Sequence, residues 1–149
     1  MFKNATIFGY DSRHHFDFTL LDRLAFLPAP DLQARSVGFS PVRDGEKVMA
    51  INGHSLLRFT IETKSLPSSA VNQLVADRCA QLEKDQGFAP GKKARKELRE
   101  RIVDELLPRA LASRRSTWVW IDHEARRIVV DSSSNPIINE VQRALCKLF

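Results

Sequence analysis

No apolar run in the sequence approaches the roughly 18 to 20 residues that cross a bilayer, so no membrane-spanning helix is expected. The first residues, Met1-Phe2-Lys3-Asn4, lack the long apolar core of a signal peptide, and a cytosolic protein is the expectation. Cysteine is scarce. Cys79 and Cys146 stand alone, with no CxxC pair and no Cys/His cluster. Both fall on predicted helices, on or beside the apolar face, so buried, reduced thiols are expected, with a disulfide or metal site as the alternative. Most of the chain also lacks excess charge. Of 23 basic and 18 acidic residues, nine and four lie in residues 91–115, "GKKARKELRERIVDELLPRALASRR", which leaves 14 of each elsewhere. The whole net charge of +5 therefore sits in one stretch.

Signatures of catalysis are thin as well. "GEK" at 45–47 lacks the preceding glycine pattern of a phosphate-binding loop. His14 and His15 are adjacent, with Asp11 and Asp17 close in sequence, and neighbouring residues on a strand point to opposite sides, so a metal site there is not expected. Asp122, Glu124 and Asp131 are of the type a metal nuclease uses, but the first two frame a turn, where charged residues are ordinary. Ser132, Ser133 and Ser134 read as a loop and helix cap rather than as a nucleophile. A protein without enzymatic activity, cofactor or metal is the expectation.

What is present suffices for a folded core: 149 residues, 43% hydrophobic and 28% charged. "KNATIFGY" reads as a strand, and "FDFTLLDRLAFLP" as a helix carrying Phe18, Leu21, Leu24 and Ala25, stopped by Pro28. "PAPDLQARSVGFSPVRDG" is rich in Pro and Gly and reads as a loop. "EKVMAI" and "LLRFTIETK" form a hairpin about Asn52-Gly53. A serine-capped helix follows, with Val71, Leu74, Val75, Cys79 and Leu82 on one face and Gly87 at its end. The basic stretch is a second helix. "TWVWID" and "RIVVD" make a second hairpin, and a last helix from Pro136 or Ile137 carries Val141, Leu145 and Leu148. The order β-α-β-β-α-α-β-β-α predicts an α+β fold: an antiparallel sheet from two hairpins plus an N-terminal strand, packed by helices, in a single domain of residues 1–149 with a projecting basic helical arm. Trp118 and Trp120 alternate with Val119 and Ile121 and share one strand face. Core packing is the preferred role for them, and stacking on bases the other.

Residues 92–107 contain neither Gly nor Pro and are rich in helix formers. At helical spacing Lys92, Arg95, Lys96 and Arg99 form an i, i+3, i+4, i+7 stripe, with Lys93 beside it. Leu98, Ile102, Val103 and Leu106 form an apolar face that dominates only in the second half. Arg109, Arg114 and Arg115 continue the charge beyond Pro108. A solvated face with Lys93–Glu97 and Lys96–Glu100 ion pairs is one account of this. A polyanion ligand is the other, and the four stripe cations have no interleaved acid. Nucleic acid is the leading polyanion, since no aromatic residues flank the cations as a membrane surface would require. No zinc finger, basic zipper or RNA-recognition aromatic pair signals base reading.

Several segments in order, "MFKN", "GFSP" (38–41), "NG" (52–53), "IETKSLPSSAV" (61–71), "LLPRA" (106–110), "WID" (120–122) and "VVDSSS" (129–134), resemble the RdgC family of bacterial recombination-associated proteins. The resemblance covers nearly the whole chain. It implies a cytoplasmic, nucleoid-associated protein that binds duplex DNA with little sequence preference and restrains RecA-promoted strand exchange. It also implies a closed ring dimer with a basic inner wall, to which the helix at 92–99 would contribute. Family members continue with a further large portion past "VVDSSS", so a shortened relative, from a phage or mobile element, or a piece of a longer product is expected. A simple homodimer is then expected in place of the ring. Leu111, directly after "LLPRA", lies where the resemblance puts one dimer contact, and internal packing is its alternative role. The expected DNA-binding residues are Lys92, Lys93, Arg95, Lys96, Arg99, Arg109, Arg114 and Arg115. Single-stranded DNA and a RecA-like recombinase are further candidate partners. The competing function is a protein-interaction inhibitor acting on a host recombination or defence protein without encircling DNA.

Overall fold

Alternation with a period of two runs through the central strands, and it decides which side of the sheet is covered. In a computed structural model, which describes residues 3–149, Val119 and Ile121 are fully buried while Trp118 and Trp120 between them are half-buried. Met1 and Phe2, the start of the "MFKN" segment, lie outside the described residues. The strands are β1 (Ala5–Gly9), β2 (Arg35–Ser40), β3 (Val48–Ile51), β4 (His54–Ser65), β5 (Leu111–Asp122) and β6 (Arg127–Asp131). The helices are α1 (Ser68–Gln86), α2 (Lys92–Leu106) and α3 (Asn135–Leu145). The six strands form one sheet in the order β1-β6-β5-β4-β2, with β3 paired to β4. Pairing is antiparallel, as in Phe8 opposite Ile128 and Ile121 opposite Ile128. β4 and β5 run oppositely as well, since Thr60 meets Ser116 and Glu62 meets Arg114. The fold is α+β, as the residue pattern implies.

The chain divides into two compact units. The first holds the described residues up to Pro28, Ser36–Glu62 and Arg114–Phe149, and the second Ala29–Arg35 with Thr63–Ser113. The core of the first unit joins Leu57 and Phe59 of β4, Val119 and Ile121 of β5, Ile128 and Val130 of β6, and Val141 and Leu145 of α3 with Leu148. Phe39 meets Phe59 edge to face, with ring centroids 5.3 Å apart. In the second unit α1 and α2 pack together, burying Val71 and Cys79 on one and Ile102 on the other.

Four local expectations are corrected. The segment 18–25 is not an α-helix: Phe18–Asp22 makes one 3₁₀ turn, capped by Asp17 Oδ1, which accepts from Thr19 N at 3.0 Å. Its two apolar turns are too short to nucleate a helix against competing tertiary bonds. Those bonds are Phe39 N to Leu24 O at 2.8 Å and Phe26 N to Phe39 O at 2.9 Å. The loop expected over 28–45 contains β2, whose Gly38 admits the crossing chain: a Cβ there would sit 2.6 Å from the Phe26 backbone. The helix within residues 91–115 ends at Leu106, a 3₁₀ turn covers Leu107–Arg109, and residues 111–115 open β5. Helix α1 has Pro67 at its N-cap and no side-chain cap bond, so no serine caps it.

Two cysteine and apolar-face expectations are met in part. Cys79 is buried but Cys146 is exposed, and both are free. Leu74 and Leu82 of the expected α1 face remain exposed. The hairpin at Asn52-Gly53 and the left-handed cap at Gly87 form as read, all three with positive φ. No described helix is long and apolar enough to cross a membrane.

Candidate nucleic-acid interface

Helix α2 starts after an extended Gly91 and has no acidic residue in its first turn and no side-chain cap. Cations occupy that turn instead. The N-terminal end of a helix carries partial positive charge, so Lys92, Lys93 and Arg95 work against the helix by about 0.3–1 kcal/mol each in the absence of an anion. The sequence tolerates a local electrostatic conflict that a bound phosphate would relieve.

All five cations of the helix's first half, Lys92, Lys93, Arg95, Lys96 and Arg99, are exposed. From Lys92 to Arg99 the backbone rises about 10 Å at ~1.5 Å per residue. Ion pairing leaves the row largely uncompensated. Lys96 Nζ lies 3.9 Å from Glu100 Oε1, at the outer limit of an ion pair between two exposed groups. Lys93 and Glu97 make no such pair, and among the described residues Lys92, Lys93 and Arg95 have no ion-pair partner. Arg99 donates to the side-chain oxygen of Asn72 on α1, a neutral acceptor that orients the guanidinium without cancelling its charge.

The second half of α2 does the anchoring. Ile102 is buried, and Leu98, Val103 and Leu106 are half-buried. A two-pronged pair ties it to α1: Arg78 donates to both carboxylate oxygens of Glu105, at 3.1 and 2.6 Å. These bonds hold the Glu105 carboxyl below, and the Arg78 guanidinium above, their ordinary pKa values. Spacing within α2 gives no hint of this bridge, because it spans 27 residues of sequence.

The other expected contacts fall elsewhere. Arg109 is exposed in the 3₁₀ turn after α2. Arg114 and Arg115 lie on β5 and belong to the first unit. Arg114 donates to Glu62, a carboxylate side chain only 2% exposed, and lies 5.3 Å from the centre of the Phe26 ring. Leu111 is 86% exposed, so internal packing is not its role in this chain.

Two of the three acidic residues weighed for hydrolysis, Asp122 and Asp131, are engaged separately, and Glu124 is exposed. Asp122 Oδ1 accepts from Ala125 N at 2.9 Å within the turn. Asp131 Oδ1 accepts from the backbone N–H groups of Lys3 and Asn4 at 2.7 and 3.0 Å, which lowers its pKa. Among the described residues no three His, Cys, Asp or Glu side chains gather where they could hold a metal ion.

Missed by the sequence reading was the open side of the sheet in the first unit. Arg58 lies with its guanidinium carbon 5.9 Å from the Trp118 ring centre, and the His54 ring stands 5.1 Å from that of Trp120. The tryptophans thus line the face opposite the core, rather than filling the core. Alternation along "LLRFTIE" carried the signal, since Leu57 and Phe59 are buried and Arg58 between them is exposed.

A family model described as "Putative exonuclease, RdgC" matches residues 1–149. Curated relatives named "Recombination-associated protein RdgC" come from several bacteria. That of Janthinobacterium sp. (strain Marseille) is 42% identical over 124 residues, 83% of this chain and 41% of the relative. That of Burkholderia cenocepacia is 43% identical over 124 residues, 83% of this chain and 40% of the relative. That of Dechloromonas aromatica is 38% identical over 145 residues, 94% of this chain and 48% of the relative. The chain spans less than half the length of these relatives.

Proposed function

The chain belongs to the RdgC family, and on that footing we propose that it is a recombination-associated DNA-binding protein of the cytoplasm and nucleoid. In this role it binds duplex DNA without sequence preference and restrains RecA-promoted strand exchange, acting as a homodimer. The observation that supports it is the row on α2: five exposed cations in eight residues, one of them pre-oriented by an amide and none held by a close carboxylate. Phosphate contacts need aligned charge and no base-reading groups. Binding rather than strand hydrolysis is proposed because Asp122 and Asp131 are spent on separate turn and terminal contacts.

Affinity for a random duplex measured across salt tests this. Four phosphate contacts give a log–log slope of roughly −3.5 per chain. Changing Lys92, Arg95, Lys96 and Arg99 together to Glu should abolish binding at moderate salt. A flat salt curve, or affinity unmoved by the charge reversal, would end the proposal.

A second role, docking on an acidic recombination or defence protein through the same exposed cations, draws also on two exposed apolar side chains of the second unit, Leu111 at 86% and Phe88 at 66%. Capture of RecA by the immobilised protein, repeated after nuclease treatment, separates the two. Retention after nuclease favours direct docking, and loss favours a DNA bridge.

A further inference from the structure

We propose that the open face of the sheet in the first unit is a binding site for a single nucleic-acid strand, distinct from the α2 row and independent of it. Two ligand chemistries meet there. Beside Arg58 lies a recess of about 620 Å³ lined by Arg43, Arg58, Arg114, Ser40, Thr60 and Ser116, among others. The hydroxyls form a chain, Ser40 Oγ to Thr60 Oγ1 at 2.7 Å and Thr60 Oγ1 to Ser116 Oγ at 2.9 Å. Guanidinium forks with hydroxyl donors are a ligand set for phosphodiester oxygens. The second chemistry is aromatic: Trp118 and Trp120 follow along the same face of β5, half-buried, with Arg58 against the first and His54 against the second.

Charge on this face favours an anion. Arg43 is paired with Asp44 at 3.1 Å and Arg114 with Glu62, while Arg58 has no carboxylate partner among the described residues. Arg58 covers an indole, and it is the group free to turn to a phosphate and leave the ring to a base. An indole reaches a base only when that base is unpaired, because a duplex keeps its base faces stacked inside. A single strand satisfies both halves of the site at once, with phosphate on the arginine and hydroxyl group and bases on the tryptophans. Duplex DNA satisfies only the first half.

Tryptophan emission tests this directly, since the chain has two tryptophans and both lie on this face. Titrating the intact protein with oligo-dT should quench that emission. Titration with a blunt duplex should leave it nearly unchanged even where anisotropy shows the duplex bound. Arg58→Ala, at an exposed side chain, should weaken oligo-dT binding about five- to tenfold, while Arg58→Lys recovers part of it by restoring the charge. Trp118→Leu should weaken it about fivefold or more, the loss of one base stack. The quadruple Glu variant of α2 should lose duplex binding and keep oligo-dT quenching, so failure of the α2 proposal leaves this one standing, and the reverse. Oligo-dT binding without quenching, equal quenching by duplex, or equal competition by inorganic polyphosphate would each overturn it.

Discussion

Arg99 of α2 donates a hydrogen bond to the side-chain oxygen of Asn72 on α1, so one cation of the row is aimed by a neutral group. Had the partner been a carboxylate, the guanidinium would be both aimed and neutralised. Asn72→Asp makes that change with almost no change in shape. The helical pair should gain about 0.2–1 kcal/mol from the new exposed ion pair. Duplex affinity should fall several-fold, and the salt slope should become shallower by roughly 0.9, the share of one phosphate contact. Anisotropy across salt reads both. An unchanged slope would show that Arg99 does not reach phosphate.

Gly38 is a packing requirement. A Cβ at this position would stand 2.6 Å from the backbone N and Cα of Phe26, where the crossing chain is fixed by hydrogen bonds to Phe39. Gly38→Ala should therefore destabilise the protein by about 1–3 kcal/mol, the cost of forcing extra volume into a packed site. Gly9→Ala is the control, as its added Cβ would meet nothing nearer than Arg126 O at 3.7 Å. Urea midpoints separate the two. Equal midpoints would mean that the 24–26 segment gives way easily.

The same pair of segments marks where the sequence was legible and where it was not. Leu57 with Phe59 and Val119 with Ile121 announced two strands by alternation alone, and all four are buried. Strand β2 was hidden, because Gly38 and the flanking prolines resemble a loop and its extended form comes from neighbours distant in sequence. For the candidate site, charge spacing sufficed to place the cation row on one helix, α2, since an i, i+3, i+4, i+7 row is a local property. The bond from Arg114 to Glu62, 52 residues away, is not local. The tryptophans show the limit most plainly. Period two placed both on one face, but only the packing of Val141 and Leu145 of α3 into the core with Val119 and Ile121 decided that the other face was the core.

His123 links stability to pH. Its Nε2 lies 2.8 Å from Ser55 Oγ and its Nδ1 3.4 Å from Tyr10 Oη, with Phe16 and Phe18 packed around the ring. Burial lowers its pKa from 6.5, with Asp122 opposing and His54 adding to the shift. The unfolded chain therefore takes up a proton at a pH where the folded one does not. The contribution to stability is complete above pH 6.5 and is lost as pH falls from there through the lower folded value. Urea midpoints recorded from about pH 7.5 to about pH 5 should fall, and His123→Gln should flatten that fall even if it lowers the whole curve. An equally steep curve in the variant would place the sensitivity in another group.

Leu111 opens β5 with 86% of its surface in water, four residues after the buried Leu107 of the preceding 3₁₀ turn. Scattered exposed leucines are ordinary, so exposure alone does not establish a contact. The dimer proposal makes it specific. Burying this side chain against a second copy is worth about 1.5–3 kcal/mol, which is roughly a 10- to 150-fold change in dissociation constant. Leu111→Asp should thus shift sedimentation from dimer towards monomer by that factor. It should leave the unfolding free energy of the isolated chain, read from urea titration, within about 0.5 kcal/mol, as expected for a surface change. Duplex affinity should fall with the dimer, because two α2 rows on one partner double the number of phosphates engaged and steepen the salt slope to about −7. If the variant keeps the wild-type mass and slope, Leu111 is an ordinary surface leucine and the two rows are joined by some other surface or not at all.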